Sequence, residues 1–197
     1  MNVAMLGGAF DPPHLAHRAL AQTAINELAL DKLIIVPTGM AWHKVRELSD
    51  AKHRVAMAHL GFGEIDGVCI DERELRRNGP SFTVDTLREL AQEFPMARMH
   101  LILGEDQARA FTGWKDWEEI LRLAIICVAA REVQDGPVQS PSAAYPELGQ
   151  VRMLNMPAMD ISSTRIRSLV NRGQGIDTLV FTPVARYIAH HHLYLDA

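Results

Sequence analysis

Two histidines three residues apart, His14 and His17, stand just past a pair of glycines in the run Gly7-Gly8-Ala9-Phe10-Asp11-Pro12-Pro13-His14-Leu15-Ala16-His17, which follows the apolar stretch Val3 to Leu6. A strand, a glycine turn and a helix start, in that order, suit a nucleotide phosphate. Gly7 and Gly8 lack a Cβ, so backbone N–H groups can approach an anion, and the following helix adds its unpaired N–H groups and positive dipole end. The spacing predicts that His14 and His17 share one face of the first helical turn and point towards the pocket. An imidazole N–H donates to a phosphate oxygen, more strongly as negative charge builds on that oxygen. Singly, a glycine turn or two surface histidines are commonplace; their conjunction after a first strand is what points to phosphate.

A second cluster has the same character. Ile161-Ser162-Ser163-Thr164-Arg165-Ile166-Arg167 follows Pro157 and Asp160 and leads into an apolar-periodic segment through Leu169 and Val170. Ser162 or Ser163 can cap a helix there, the hydroxyls and first-turn N–H groups can bind phosphate oxygens, and Arg167 offers a fork of donors about one turn on. By itself this reads equally well as an ordinary serine cap followed by solvated arginines.

These two starts need a scaffold to bring them together. Val3 to Leu6, Leu33 to Val36, Val68 to Ile70, Met99 to Leu103 and Ile125 to Ala129 read as strands, separated by longer segments of helical period such as Ala16, Leu20, Ala24 and Leu28. That alternation predicts an α/β, Rossmann-like, doubly wound parallel sheet with helices on both faces, in a single domain with a small helical part from about residue 160. Ligands then bind at the carboxyl edge of the strands, where the first motif lies. Gln134 to Gly149, rich in proline, serine and small residues, is expected to be a mobile surface loop.

Composition narrows the function classes. With 197 residues, 48% of them hydrophobic, the chain can bury a full core. A net charge of −4 argues against a general nucleic-acid or membrane-surface binder. Cys69 and Cys127 sit in apolar runs and read as reduced core residues of a cytoplasmic protein, and no stretch has the eighteen or so apolar residues of a membrane span. His190, His191 and His192 close a helix starting at about Pro183, where cationic side chains suit the dipole, and no metal site is expected there. Asp71 to Arg77 reads as an exposed connection, with Arg76 or Arg77 able to border a site mouth.

The two motifs together resemble the signature of the nucleotidyltransferase α/β-phosphodiesterase superfamily. From about Asn2 to Tyr194 the chain is similar to its nicotinate-nucleotide adenylyltransferase branch, through Pro37 with His43-Lys44, Pro80 to Leu87, Gly104-Glu105-Asp106 before Trp114, Val184 to Tyr187 and Leu193-Tyr194. The resemblance implies adenylyl transfer from ATP to nicotinate mononucleotide, giving deamido-NAD and pyrophosphate by direct in-line attack without a covalent intermediate. In such a reaction the protein needs chiefly to align two anions and stabilise spreading charge. The implied catalytic groups are His17 at the α-phosphate, His14 beside it on the ATP phosphates, and Arg167 with the Ser162 to Thr164 helix start on the β- and γ-phosphates. Gly7, Gly8, Ala9, Phe10 and Ile161 complete the ATP set. Mg²⁺ would be held mainly by phosphate oxygens and water. The pyridine nucleotide is placed near Thr83, Gly104, Asp106, Trp114 and Lys115, with His43 and Lys44 towards its phosphate. Each has a plainer alternative: Trp114 as a core anchor with Trp117, and Thr83 and Asp106 as helix caps.

The chain departs from the family at four places: Ala9 for serine or threonine, Ala16 for glycine, Ala41-Trp42 for a proline pair, and Lys115 for an aromatic residue. Lys115 leaves the choice between nicotinate and nicotinamide nucleotides open. Other acceptors such as phosphopantetheine, and a non-catalytic nucleotide sensor, are the competing readings; a homo-oligomer is neither implied nor excluded.

Overall fold

The computed structural model describes residues 1–40, 48–131 and 145–195. His43, Lys44 and the Ala41-Trp42 departure therefore lie outside the described residues, as does most of the 134–149 segment. Among the described residues six strands form one parallel sheet in the order β3-β2-β1-β4-β5-β6: β1 Asn2–Gly8, β2 Lys32–Pro37, β3 Val68–Ile70, β4 Arg98–Gly104, β5 Ile125–Arg131 and β6 Val151–Met156. The helices are α1 Leu15–Leu28, α2 Ala51–Phe62, the short α3 Arg73–Arg76, α4 Thr83–Glu93, α5 Glu105–Arg109, α6 Trp117–Leu123, α7 Ser163–Asn171 and α8 Thr182–His190. The doubly wound, Rossmann-like architecture expected from the alternating pattern is the one observed.

Strand alternation divides the core. Val3 and Met5 join Met99, Leu101 and Leu103 in a layer closed by Val84, Leu87 and Leu90 of α4 and Ile120 of α6. Ala4 and Leu6 face the other way with Ile102, against Leu20, Ala21, Ala24 and Leu28 of α1 and Ala58 and Phe62 of α2. Side chains on both faces are buried, which is why these strands read as continuous apolar runs. A third cluster lies off the sheet: Ile166, Ile176, Val180, Val184, Ile188 and Tyr194 pack with Met57 of α2. It holds the C-terminal helices to the rest of the chain.

Three expectations change. The first strand does not break before the glycines: β1 runs through Gly8, pairing with Pro37. The sixth strand does not read as an apolar run because it is an edge: only Leu154 is fully buried, Arg152 and Asn155 are exposed, and at the end of α1 the Arg152 guanidinium donates to the Glu27 carbonyl and the Asn155 backbone N–H to the Glu27 carboxylate. The described end of the expected loop, Tyr145 to Gly149, is anchored, with Tyr145 and Leu148 in the α4/α6 layer. Leu148→Ala should cost about 2–5 kcal/mol of unfolding free energy, as core leucines do. Urea denaturation would measure it, and a loss under about 0.5 kcal/mol, the range of ordinary surface substitutions, would contradict the anchoring.

Candidate active site

The order of the strands creates a crevice. Pairing of β1 with β4 ends at Leu6 and Ile102, while β1 continues with β2 to Gly8 and Pro37, and β4 continues with β5 to Gly104 and Ala129. The two central strands thus part at their carboxyl ends, which is where ligands bind in such sheets. Two cavities open there, of about 440 Å³ and about 560 Å³. Gly7, Gly8, Ala9 and Gln107 line both.

The larger cavity collects the first motif and the second. Phe10, Asp11 and His17 line it together with Gly104, Ser163, Thr164 and Arg167. The loop between β1 and α1 is bent tightly, with Phe10 at φ +48° and its ring 2% exposed against Phe62 and beside His17. Gly8 is required by that bend: a Cβ there would come within 2.9 Å of the Phe10 ring. Anion approach is thus a second reason for the glycine.

His14 is the N-cap of α1 with an extended backbone rather than a residue of its first turn. Its ring stacks on that of His17 at 3.7 Å, and its backbone N–H donates to His17 Nδ1 at 3.3 Å. That bond puts the ring proton of a neutral His17 on Nε2, where it is a donor. His14 itself is 6% exposed, lines neither cavity, and keeps a buried Nδ1 without a hydrogen-bond partner among the described residues. Burial pulls its pKa down to about 4.

The loop is tied from below and from the C-terminus. Asp11, 1% exposed, accepts from Ser49 N–H at 3.2 Å and from the Tyr194 hydroxyl at 2.7 Å. Burial beside that carboxylate pushes the Tyr194 hydroxyl pKa far up. Arg167 donates to the Asp11 carbonyl at 2.7 Å and to Thr164 Oγ1 at 3.1 Å, and Ser163 Oγ donates to the Pro12 carbonyl at 2.9 Å. Arg54, 3% exposed, joins the carbonyls of Ala9, Thr38 and Ser49. Sequence reasoning missed Arg54, although a signal existed: it falls in the buried stripe of α2 with Met57, Ala58, Gly61 and Phe62, where a charge needs partners. Asp11 and Tyr194 were seen only as parts of motifs.

Ser162 caps α7, accepting from Arg165 N–H at 3.2 Å, as expected of either serine. Ile161 packs on the C-terminal cluster, and neither Ile161 nor Ser162 lines the cavity.

The smaller cavity brings together Thr83, Asp106, Trp114 and Lys115, with Thr38, Glu74, Ser81 and Phe82. Gly104, expected with this group, lines the other cavity instead. Thr83 and Asp106 are not caps: Phe82 and Gly104 hold those positions. Trp114 is part core anchor, its ring centre 5.4 Å from that of Phe111, and Trp117 meets the same ring edge-on at 6.4 Å. The Lys115 ammonium sits 4.5 Å from the centre of the Phe82 ring and 3.7 Å from Asp85 Oδ2. The 71–77 segment is not an exposed connection. Glu74 is 5% exposed, Arg73 pairs with Asp71 and Glu93, and neither Arg76 nor Arg77 lines either cavity. Among the described residues no three His, Cys, Asp or Glu side chains are grouped to hold a metal ion; His53, near the terminal histidines, contacts the Tyr187 hydroxyl at 3.0 Å. No helix among them is long and apolar enough to cross a membrane.

Known proteins resemble this chain over its whole length. The family model described as cytidylyltransferase-like matches residues 5–169. A protein of Albidiferax ferrireducens named "probable nicotinate-nucleotide adenylyltransferase" is 53% identical over 196 residues, covering 100% of this chain and 99% of its own length. One of the same name from Methylibium petroleiphilum is 40% identical over 198 residues, covering 98% and 92%. Among solved structures, Plasmodium falciparum nicotinic acid mononucleotide adenylyltransferase complexed with NaAD has the same fold, with TM-score 0.80 at 19% identity over 98% of this chain and 97% of that one.

The buried His14 sets a pH dependence. A histidine held at about 4 in the folded chain against 6.5 unfolded is neutral in both states at higher pH. As pH falls from 6.5 to 4 the unfolded chain takes up the proton first, so stability present above 6.5 is lost, by on the order of 3 kcal/mol. Chemical denaturation at pH 7 and pH 4.5 should show His14→Asn losing less across that interval than the unsubstituted chain; equal losses would contradict a buried neutral imidazole.

Proposed function

The chain belongs to the nicotinate-nucleotide adenylyltransferase family of nucleotidyltransferases, and from that premise we propose that it transfers the adenylyl group of ATP to nicotinate mononucleotide in the cytoplasm, yielding deamido-NAD and pyrophosphate. The observation that carries this reading is the pair of cavities sharing the wall Gly7, Gly8, Ala9 and Gln107. The triphosphate occupies the larger, beside His17, Ser163, Thr164 and Arg167. The pyridine nucleotide occupies the smaller, beside Thr83, Asp106, Trp114 and Lys115. A solved relative complexed with NaAD supports the acceptor class.

The reaction forms one bond, from an acceptor phosphate oxygen to the α-phosphorus, and breaks one, from that phosphorus to the oxygen bridging to the β-phosphate, which leaves with pyrophosphate. The attacking group is already an anion, so no protein nucleophile is needed. His17 donates through Nε2 to the α-phosphate as charge builds there, and His14, stacked behind it, keeps that ring oriented. Arg167 and the first turn of α7 take the β- and γ-phosphates. Trp114 offers an apolar face to the pyridine ring, and Thr83 and Lys115 offer a hydroxyl and a charge to its carboxylate.

Magnesium enters as part of the substrate, Mg-ATP. Asp11 is the one carboxylate lining the larger cavity among the described residues, and its two oxygens already accept from Ser49 and Tyr194, so the residues present do not make a resident metal cage.

The test is turnover by the purified protein with Mg-ATP and, separately, nicotinate mononucleotide, nicotinamide mononucleotide and phosphopantetheine, scored by pyrophosphate release and product mass. Deamido-NAD is the expected product; a preference for phosphopantetheine would overturn the acceptor assignment, and ATP binding without turnover would favour a sensor. His17→Ala should lower kcat by about 10²–10³ while ATP affinity changes only a few-fold, as for a donor used mainly in the transition state. Equal losses in both would contradict its role. Lys115→Met should cut the preference for nicotinate over nicotinamide nucleotide, in kcat/KM, by about tenfold, equivalent to about 1.4 kcal/mol.

A further inference from the structure

We propose that Glu74 is a positioning residue for the acceptor cavity: its side chain holds Thr86 at the start of α4 while its backbone packs against the exit of β2, and together these set where Phe82 and Thr83 stand. The inference rests on the reading of the smaller cavity as the acceptor's. Glu74 belongs to the four-residue helix α3, is 5% exposed, and lines that cavity without a part in the chemistry described above.

Its contacts run to both neighbouring segments. Thr86, fully buried in the first turn of α4, donates its hydroxyl to Glu74 Oε1 at 2.8 Å, and Arg77 donates to the same Thr86 oxygen at 2.8 Å from the other side. Backbone contacts repeat the junction: Ser81 Oγ donates to the Glu74 carbonyl at 3.2 Å, and Ser81 N–H donates to the Met40 carbonyl at 3.0 Å. The approach is so close that a Cβ on Gly39 would fall 2.2 Å from the Glu74 carbonyl oxygen. Three chain segments thus meet at Glu74: its carboxylate accepts from the Thr86 hydroxyl of α4, and its backbone carbonyl lies against Ser81 and Gly39.

The side-chain link is open to substitution. Glu74→Gln keeps an acceptor for Thr86 but replaces the charged carboxylate by a weaker, neutral amide oxygen. Thr86→Val removes the hydrogen bond at nearly constant volume, and Glu74→Ala removes the whole side chain. Steady-state kinetics on the full chain should show the acceptor KM raised about three- to tenfold in Glu74→Gln and Thr86→Val and more in Glu74→Ala, with kcat and the ATP KM within twofold of the unsubstituted enzyme. In the Glu74→Ala background, Thr86→Val should add little, since both act through one junction. A thermal melt of each variant confirms folding, and the two milder variants carry the test if Glu74→Ala does not fold. Folded variants with an unchanged acceptor KM, or with acceptor and ATP KM rising together, would overturn the inference. Failure of the unsubstituted chain to use nicotinate mononucleotide is a different result, which strikes the proposed function; the same KM comparison then applies to whichever acceptor it does use.

Discussion

Everything at the site depends on a carboxylate that is not offered to substrate. Asp11 is buried in the bend between β1 and α1, and a buried charge is tolerated only when hydrogen-bonded on all sides. Its partners come from far along the chain, Ser49 before α2 and Tyr194 near the C-terminus, while Arg167 of α7 holds its backbone carbonyl. One residue therefore couples the histidine loop to α7, which completes the larger cavity, and to the segments that carry Ser49 and Tyr194. Without that coupling the first motif would be a bent loop on a sheet edge, and α7 a helix with no fixed relation to it.

The second constraint is the parting of β1 from β4. Because the ladder between them stops at Leu6 and Ile102, the strand-end glycines stand as a thin partition with a cavity on each side. A reaction between two anions is opposed by their charge, and this chain carries a net −4. In the proposed reaction the attraction is local: Arg167, the start of α7 and the His17 donor on one side, Lys115 on the other. Such groups act in a partly closed crevice, where charge is screened less than in open water.

The sequence displayed the elements whose signal is local. Five apolar runs became five strands, and the glycine and serine motifs, with Arg167, converge on one cavity as their residue types suggested. What it hid depends on burial and distance. Edge strand β6 has only Leu154 fully buried, so its apolar signal was too thin to read. Arg54, Asp11 and Glu74 look like solvated charges in a one-dimensional reading, and only the folded chain shows each as the junction of separate segments. His14 looked like a twin of His17, yet the cap position turns it inward, so one histidine faces the cavity and the other supports it.

In the proposed reaction the partition aligns the acceptor phosphate with the α-phosphorus for a single displacement. Turnover of ATP carrying a chiral sulfur at the α-phosphorus, followed by determination of configuration in the dinucleotide product, tests it most directly. One in-line displacement inverts that centre, and inversion is the predicted result. Retention would require two successive displacements, hence a covalent adenylyl intermediate on the protein, and would contradict the account.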